Sequence, residues 1–189
     1  MKISYNSPVI LTYTFLCVGV LIIGELTGNA FMSLFTVSSS MNLLNPLDYF
    51  RLVSHVIGHA NWPHLINNLT FILLIGPILE EKYGSKPMLY MMLITALVTG
   101  IINVLFFSTG LLGGSGIVFM LILLGSIVNL RQGTIPLTFV LVVLLFLGRE
   151  VISIFDNDNI SQFAHILGGI FGSVFGFKRN ATITEKKYY

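Results

Sequence analysis

Six long apolar runs divide this chain, and they constrain its fold more than any other feature. Each is close to the 17–25 residues that an α-helix needs to cross the hydrocarbon core of a bilayer. The runs cover roughly 8–26, 63–81, 87–107, 115–130, 136–155 and 161–177. Only 10% of the residues are charged, whereas a soluble domain carries about 25%. The sequence therefore predicts an all-α, polytopic membrane protein with six transmembrane helices.

Little of the chain is left outside these runs. We expect one transmembrane domain over 1–189, with a short N-terminus, a tail at 178–189 and no separate soluble domain. The one long connection, 27–62, is rich in Phe and Leu. Such a segment is too apolar for a simple tether, so it is expected to lie partly within the outer leaflet.

The distribution of Lys and Arg predicts the orientation. With six spans, eight of the ten basic residues fall on the side that holds both termini. Basic residues stay on the cytoplasmic side, so the protein is expected in the cell membrane with both termini inside. The net charge of +2 gives no sign of nucleic-acid binding. The single cysteine, Cys17, has no partner for an internal disulfide.

Polar residues stand at the start of the second, fourth and sixth runs. They are His64 and Asn68, then Ser115, then His165. These three spans cross in the same direction, so their first turns share the outer half of the membrane. The helical rise places Ser115 and His165 roughly 6–10 Å below the outer edge of the hydrocarbon core. Polar groups at such a depth need partners and usually mark function.

A serine and a histidine within reach of each other form a nucleophile and its base. Ser115 is predicted to attack a carbonyl, with His165 taking its proton. The Ser115 N–H at a helix start, helped by His64 and Asn68 on one helix face, is predicted to stabilise the oxyanion. Nearby glycines allow close backbone approach: Gly113, Gly114, Gly116 and Gly168. This chemistry needs no cofactor and no metal.

Simpler interpretations exist for each of these residues. Gly-x-Ser-Gly and the glycines after His165 also suit helix packing, and His64 and Asn68 also suit anchoring of the long loop. His55, His59 and His64 offer three nitrogen ligands within ten residues, a possible zinc set without Cys and with only Asp48 as a nearby carboxylate. A small transporter would also bury polar groups, but the runs show no paired broken helices.

Taken together, these residues resemble the rhomboid family of intramembrane serine proteases. The resemblance covers about 50–176 and follows one order along the chain. It comprises Phe50-Arg51, His55, His59-Ala-Asn-Trp62-Pro-His64-Leu-Ile-Asn-Asn68, Gly76, Glu80, Gly84, Gly113-Gly114-Ser115-Gly116 and Ala164-His165-x-x-Gly168-x-x-x-Gly172. Two positions depart from many relatives: Phe50 replaces a Trp, and Phe119 replaces a Tyr found in some of them.

The resemblance implies a six-helix rhomboid-like bundle with a membrane-embedded loop between helices 1 and 2. It implies that Ser115 is the nucleophile, that His165 is the base, and that His64, Asn68 and the Ser115 amide hold the oxyanion. Arg51 is implied to bond within the loop, and Glu80 to fix the inner end of the second span.

The expected partners are membrane lipids and transmembrane segments of other membrane proteins. The latter are the implied substrates, entering sideways near spans two and five. The alternative is a proteolytically inactive rhomboid-like protein that binds transmembrane helices. The sequence indicates neither the physiological substrate nor the oligomeric state.

Overall fold

The computed structural model describes residues 3–27, 30–127, 134–153 and 162–185, and within these ranges the chain is helical apart from its connections. Seven α-helices follow one another in the described ranges. They are α1 (Pro8–Leu26), α2 (Pro46–Ser54), α3 (Trp62–Tyr83), α4 (Ser85–Phe106), α5 (Ser115–Ser126), α6 (Leu137–Ser153) and α7 (Gln162–Glu185). A short 3₁₀ helix, Phe31–Phe35, precedes α2.

The six longer helices coincide with the six predicted runs, and α2 lies in the 27–62 connection. Within the described ranges, α1, α3 and α4 are long and apolar enough to cross a membrane, and α5 is a shorter apolar helix. This confirms a helical membrane protein. The six crossings, the single-domain organisation and the embedding of the loop remain predictions. Some of the basic residues on which the predicted orientation rests lie outside the described residues, namely Lys2, Arg131, Lys186 and Lys187.

The start of α1 is held by a carboxylate from α3. Glu80 Oε1 and Oε2 accept the N–H groups of Val9 and Ile10, each at 3.0 Å. The first N–H groups of a helix have no partner inside it, and the helix dipole favours negative charge there. Glu80 is buried, with only 3% of its surface exposed. These bonds tie the end of α3 to the start of α1, which agrees with the implied role of Glu80 in fixing the end of this span.

The connection between α1 and α3 is ordered by its own hydrogen bonds. Arg51 Nε donates to Ser33 O at 2.9 Å, and its guanidinium pairs with Asp48. Asp48 Oδ2 also accepts the Asn42 N–H at 2.9 Å. This agrees with the implied role of Arg51. The Asn42 N–H, and then the Arg51 guanidinium, hold the pKa of Asp48 below its usual value.

Glycines set the closest helix contacts in the bundle. A Cβ at Gly168 or Gly172 of α7 would run into the backbone carbonyls of Gly116 and Met120 in α5. A Cβ at Gly76 of α3 would lie 2.7 Å from Ile10 Cδ1 in α1. Small residues allow membrane helices to approach backbone to backbone. Dispersion contacts then hold the helices together, because the hydrophobic effect does not drive association within lipid. The α5–α7 pair is therefore the most tightly joined pair around the predicted site.

Candidate active site

Ser115 is the first residue of α5, and a glycine turn leads into it. Gly113 adopts φ +125°, in the left-handed region that favours glycine. Gly114 is the N-cap residue, with φ −83° and ψ 6°. The Val118 N–H bonds to Gly114 O at 3.0 Å and starts the helical ladder. The N–H groups of 115–117 precede this first bond, so they have no acceptor within the helix.

His64 lies directly against the glycine turn. A Cβ at Gly113 would stand 2.6 Å from His64 Cε1 and 2.8 Å from His64 Nε2. Gly113 is therefore required both for its backbone angle and for the space that the imidazole occupies. His64 itself is the third residue of α3, where Asn61 caps the helix by accepting the His64 N–H at 2.9 Å.

Asn68 follows His64 one helical turn later and is buried, with 6% of its surface exposed. Its amide nitrogen, Nδ2, has no hydrogen-bond acceptor among the described residues. Native proteins satisfy the large majority of buried polar atoms, so each exception calls for an explanation. A buried donor without a protein acceptor is suited to a group that arrives with a ligand.

His165 lies in the first turns of α7, half-buried, with its ring on Phe119 of α5. The two ring centroids are 4.4 Å apart and the planes differ by 6°. Phe119 thus provides an aromatic contact to His165 without the hydroxyl that a Tyr would add. The stacking fixes the plane of the imidazole relative to α5, the helix that begins with Ser115.

The contact between α5 and α7 brings the neighbours of Ser115 and His165 together. A Cβ at Gly116 would stand 3.2 Å from Ala164 O, and one at Gly168 would run into Gly116 O. Each of these residues is within three positions of Ser115 or His165. His64 and His165 also lie close enough to interact electrostatically. These contacts therefore place His64 and the first turns of α7 beside the N-terminus of α5.

A cavity of about 430 Å³ begins at His165 and runs between α5, α6 and α7. Its walls are apolar apart from the imidazole and the Ser173 hydroxyl. The lining is Phe119, Leu123, Phe139, Val143, His165, Ile166, Gly169, Ile170, Ser173, Val174 and Phe177. Such a space suits an apolar chain rather than a charged molecule.

The zinc alternative gains no support from the described residues. Within them, no three His, Cys, Asp or Glu side chains are grouped to hold a metal ion. His55 instead places Nε2 3.0 Å from Ala96 O, and His59 places Nδ1 3.1 Å from Ile57 O. These two histidines are bound to backbone groups of the protein.

Two residues near the turn were not predicted as part of the site. Tyr13 of α1 brings its hydroxyl against Gly114 and donates a hydrogen bond to Val56 O. His59 approaches the Gly114 N–H with Nε2 at 3.4 Å. A tyrosine within an apolar run is only a weak indication of a functional site, and the position of a histidine in a loop does not predict which groups it contacts. Sequence reasoning alone therefore could not find either one.

Fold and site together define a helical membrane protein with a serine at one helix N-terminus and a histidine on the helix packed against it. Comparison with known families agrees with this class, since the Rhomboid domain family matches residues 46–181. The chain belongs to the rhomboid family.

Three relatives in this family share about a quarter of the aligned residues with this chain. Rhomboid protease GlpG of Haemophilus influenzae is 24% identical over 133 residues, which cover 69% of each chain. Rhomboid protease GlpG of Yersinia pestis is 27% identical over 179 residues, covering 92% of this chain and 63% of the relative. Rhomboid-like protein 11 (chloroplastic) of Arabidopsis thaliana is 26% identical over 130 residues, covering 68% and 43%. The chain thus spans less than two thirds of the latter two relatives.

Proposed function

We propose that this protein is an intramembrane serine protease that uses a dyad of Ser115 and His165. It hydrolyses peptide bonds in or near transmembrane segments of other membrane proteins. The observation that carries the proposal is the packing of α5 on α7, because Gly116 and Gly168 join the two helices within three residues of both groups. Membership of a family that includes named proteases supports the same reaction.

In the proposed first step, Ser115 Oγ attacks the carbonyl carbon of the scissile bond while its proton passes to His165. The carbonyl oxygen becomes an oxyanion at the N-terminus of α5, where free N–H groups and the positive end of the helix dipole favour it. His64 and the Asn68 Nδ2 donor complete the oxyanion site. The buried Asn68 amide, without an acceptor among the described residues, supports this assignment.

The second half of the reaction reverses these roles. The C–N bond breaks, His165 returns its proton to the leaving amine, and the acyl group remains on Ser115 as an ester. Water then attacks the ester with His165 as base, which releases the acid and restores Ser115. The half-buried positions of Ser115 and His165 are compatible with access for both substrate and water.

Substrates and setting follow from the same reasoning. The site lies among apolar helices, so the peptide segments that reach it are those already in the membrane. The cavity beside His165 offers apolar space next to α6, one of the helices near which entry is expected. We place the protein in the cell membrane as a multi-pass protein with both termini cytoplasmic, on the strength of its Lys and Arg distribution.

The test is cleavage of a model single-pass substrate by the purified protein in detergent. We compare wild type with Ser115→Ala and His165→Ala, and use Ser126→Ala as the matched control. Ser126 ends the same helix and donates to Leu123 O, so its loss leaves the dyad intact. Wild type and Ser126→Ala are expected to cleave, also in the presence of a chelator, whereas the two dyad variants are expected to be inactive.

Other outcomes point elsewhere. Undiminished cleavage by Ser115→Ala rejects the mechanism, and cleavage that chelators abolish favours the metal alternative. If wild type binds the substrate but no condition yields cleavage, the chain is an inactive rhomboid-like binder of transmembrane helices. Labelling of Ser115 by a fluorophosphonate, weakened in His165→Ala, is the independent measurement of an activated serine.

A further inference from the structure

His59 is fully buried, and both of its ring nitrogens face backbone groups. Nδ1 is 3.1 Å from Ile57 O, and Nε2 is 3.4 Å from the Gly114 nitrogen. A carbonyl oxygen only accepts, so Nδ1 must carry the hydrogen. A backbone N–H only donates, so Nε2 must present its lone pair. These two partners select one neutral tautomer of the imidazole.

The residue that His59 holds is the one immediately before Ser115. Gly114 is enclosed on three sides: by the Tyr13 hydroxyl, by Val56 O and by the His59 ring, the last two 3.4 and 3.6 Å from where its Cβ would be. Just before it, the Gly113 N–H donates to His55 O at 2.9 Å. Two consecutive N–H groups ahead of Ser115 are therefore fastened to the segment between α2 and α3.

The same imidazole also supports His64. The His59 and His64 ring centroids are 5.0 Å apart, with the planes at 66°, an edge-to-face contact. His64 in turn lies against Gly113. His59 thus stands between the turn that presents Ser115 and the side chain proposed to hold the oxyanion.

We propose that His59 is a positioning residue for Ser115: its neutral Nδ1–H tautomer accepts the Gly114 N–H at Nε2 and thereby fixes the turn from which the nucleophile projects. The inference rests on the proposed role of Ser115 and adds a residue that acts through the backbone. Both nitrogens are occupied, so His59 itself exchanges no proton with the substrate. Burial lowers the pKa of His59 to about 4, with His64 adding to the effect, which agrees with a neutral ring at physiological pH.

Two conservative variants separate the bond to Gly114 from the bond to Ile57. In His59→Gln, the amide oxygen reaches the position of Nε2 and can accept the Gly114 N–H. In His59→Asn, the amide reaches only the position of Nδ1 and keeps the contact with Ile57 O. His59→Ala removes both. We measure kcat and KM on the model substrate, the rate of Ser115 labelling by a fluorophosphonate, and the melting temperature.

We expect His59→Asn and His59→Ala to lower kcat and the labelling rate about 100-fold with little change in KM, because a nucleophile displaced by about 1 Å loses roughly that factor. His59→Gln is expected to recover to within about tenfold of wild type. Equal rates for the Gln and Asn variants, or losses that follow the melting temperature alone, overturn the proposal. Should wild type itself remain unlabelled at Ser115, the proposed function fails, and this inference fails with it.

A second measurement does not depend on whether the variants fold. Nitrogen-15 NMR of wild-type protein labelled at histidine, with His59 assigned, reports which ring nitrogen carries the hydrogen. We expect hydrogen on Nδ1 and none on Nε2 at neutral pH. Hydrogen on Nε2 would contradict the bond from Gly114 and overturn the proposal even if every variant were inactive.

Discussion

Replacing Gly168 with alanine tests the contact on which the proposed site depends. Its Cβ would meet Gly116 O, a backbone atom that no side-chain rotation can move aside. The Cβ would lie more than 1 Å inside ordinary contact distance, so α5 and α7 must separate or slide by at least about that amount. The adjacent Gly169 provides the matched control, because its Cβ would stand 3.7 Å from the Leu123 side chain, an ordinary contact.

The expected loss of stability follows from the difference between the surroundings of Gly168 and Gly169. Both substitutions gain about 1 kcal/mol of intrinsic helix propensity, and this gain cancels in the comparison. Overpacking costs about 1–3 kcal/mol, so Gly168→Ala should be less stable than Gly169→Ala by about that range. At roughly 2–4 °C per kcal/mol, the melting temperatures in detergent should differ clearly. Labelling of Ser115 by a fluorophosphonate should fall about 100-fold in Gly168→Ala, because a misplacement of about 1 Å separates serine from histidine.

Equal melting temperatures and equal labelling rates for the two alanine variants would refute the proposed contact. That result would mean that α5 and α7 do not meet backbone to backbone at this level. A lower melting temperature without slower labelling of the folded protein would separate the claim about helix packing from the claim about the dyad. Such a result would support the packing of α5 on α7 and contradict its control over the geometry of Ser115 and His165.

Three further predictions follow from contacts around the site. Glu80→Ala should lower the free energy of unfolding by about 2–3 kcal/mol, because two N–H groups lose a charged acceptor, while Glu81→Ala at the exposed neighbour should change little in a thermal melt. The pKa of Asp48 is lowered in the folded state, so the ionised carboxylate stabilises the fold above the ordinary carboxylate pKa, and this contribution is lost as pH falls through the lowered value. Thermal unfolding measured between pH 7 and pH 2 should show this loss in wild type and not in Asp48→Asn. Phe119→Leu should reduce kcat with a smaller effect on KM, because the His165 imidazole loses the ring that sets its plane. An unchanged kcat would show that the stacking is incidental.

Much of the secondary structure followed from the apolar runs alone. The runs expected from residues 8, 63, 87, 115, 136 and 161 correspond to helices that begin at Pro8, Trp62, Ser85, Ser115, Leu137 and Gln162. Hydrocarbon cannot satisfy backbone N–H and C=O groups, so an apolar run of this length has little choice but to form a helix. The ends agreed less well: α7 continues to Glu185, beyond the expected end at 177.

The faces of these helices could not be predicted in the same way. In α1, Ile10, Cys17 and Leu21 are buried, while Phe15 and Leu16 are exposed, although all are apolar. In a membrane the outward face is as apolar as the core, so the pattern of hydrophobic residues carries little information about packing. The glycines of α7 gave a better signal, since close backbone approach leaves no room for any other residue.

For the candidate site, the sequence by itself determined the chemical groups, since Ser115, His165, His64 and Asn68 stand at the starts of three apolar runs. The predicted topology sends these runs in one direction and so predicts a common level for the four residues. The tertiary structure alone decided what holds these groups in place. Glu80 reaches the start of α1, and His59 reaches the turn before Ser115. Each contact joins a polar group to backbone more than fifty residues away. A backbone N–H is the same in every residue except proline, so the sequence does not show which one will be the partner.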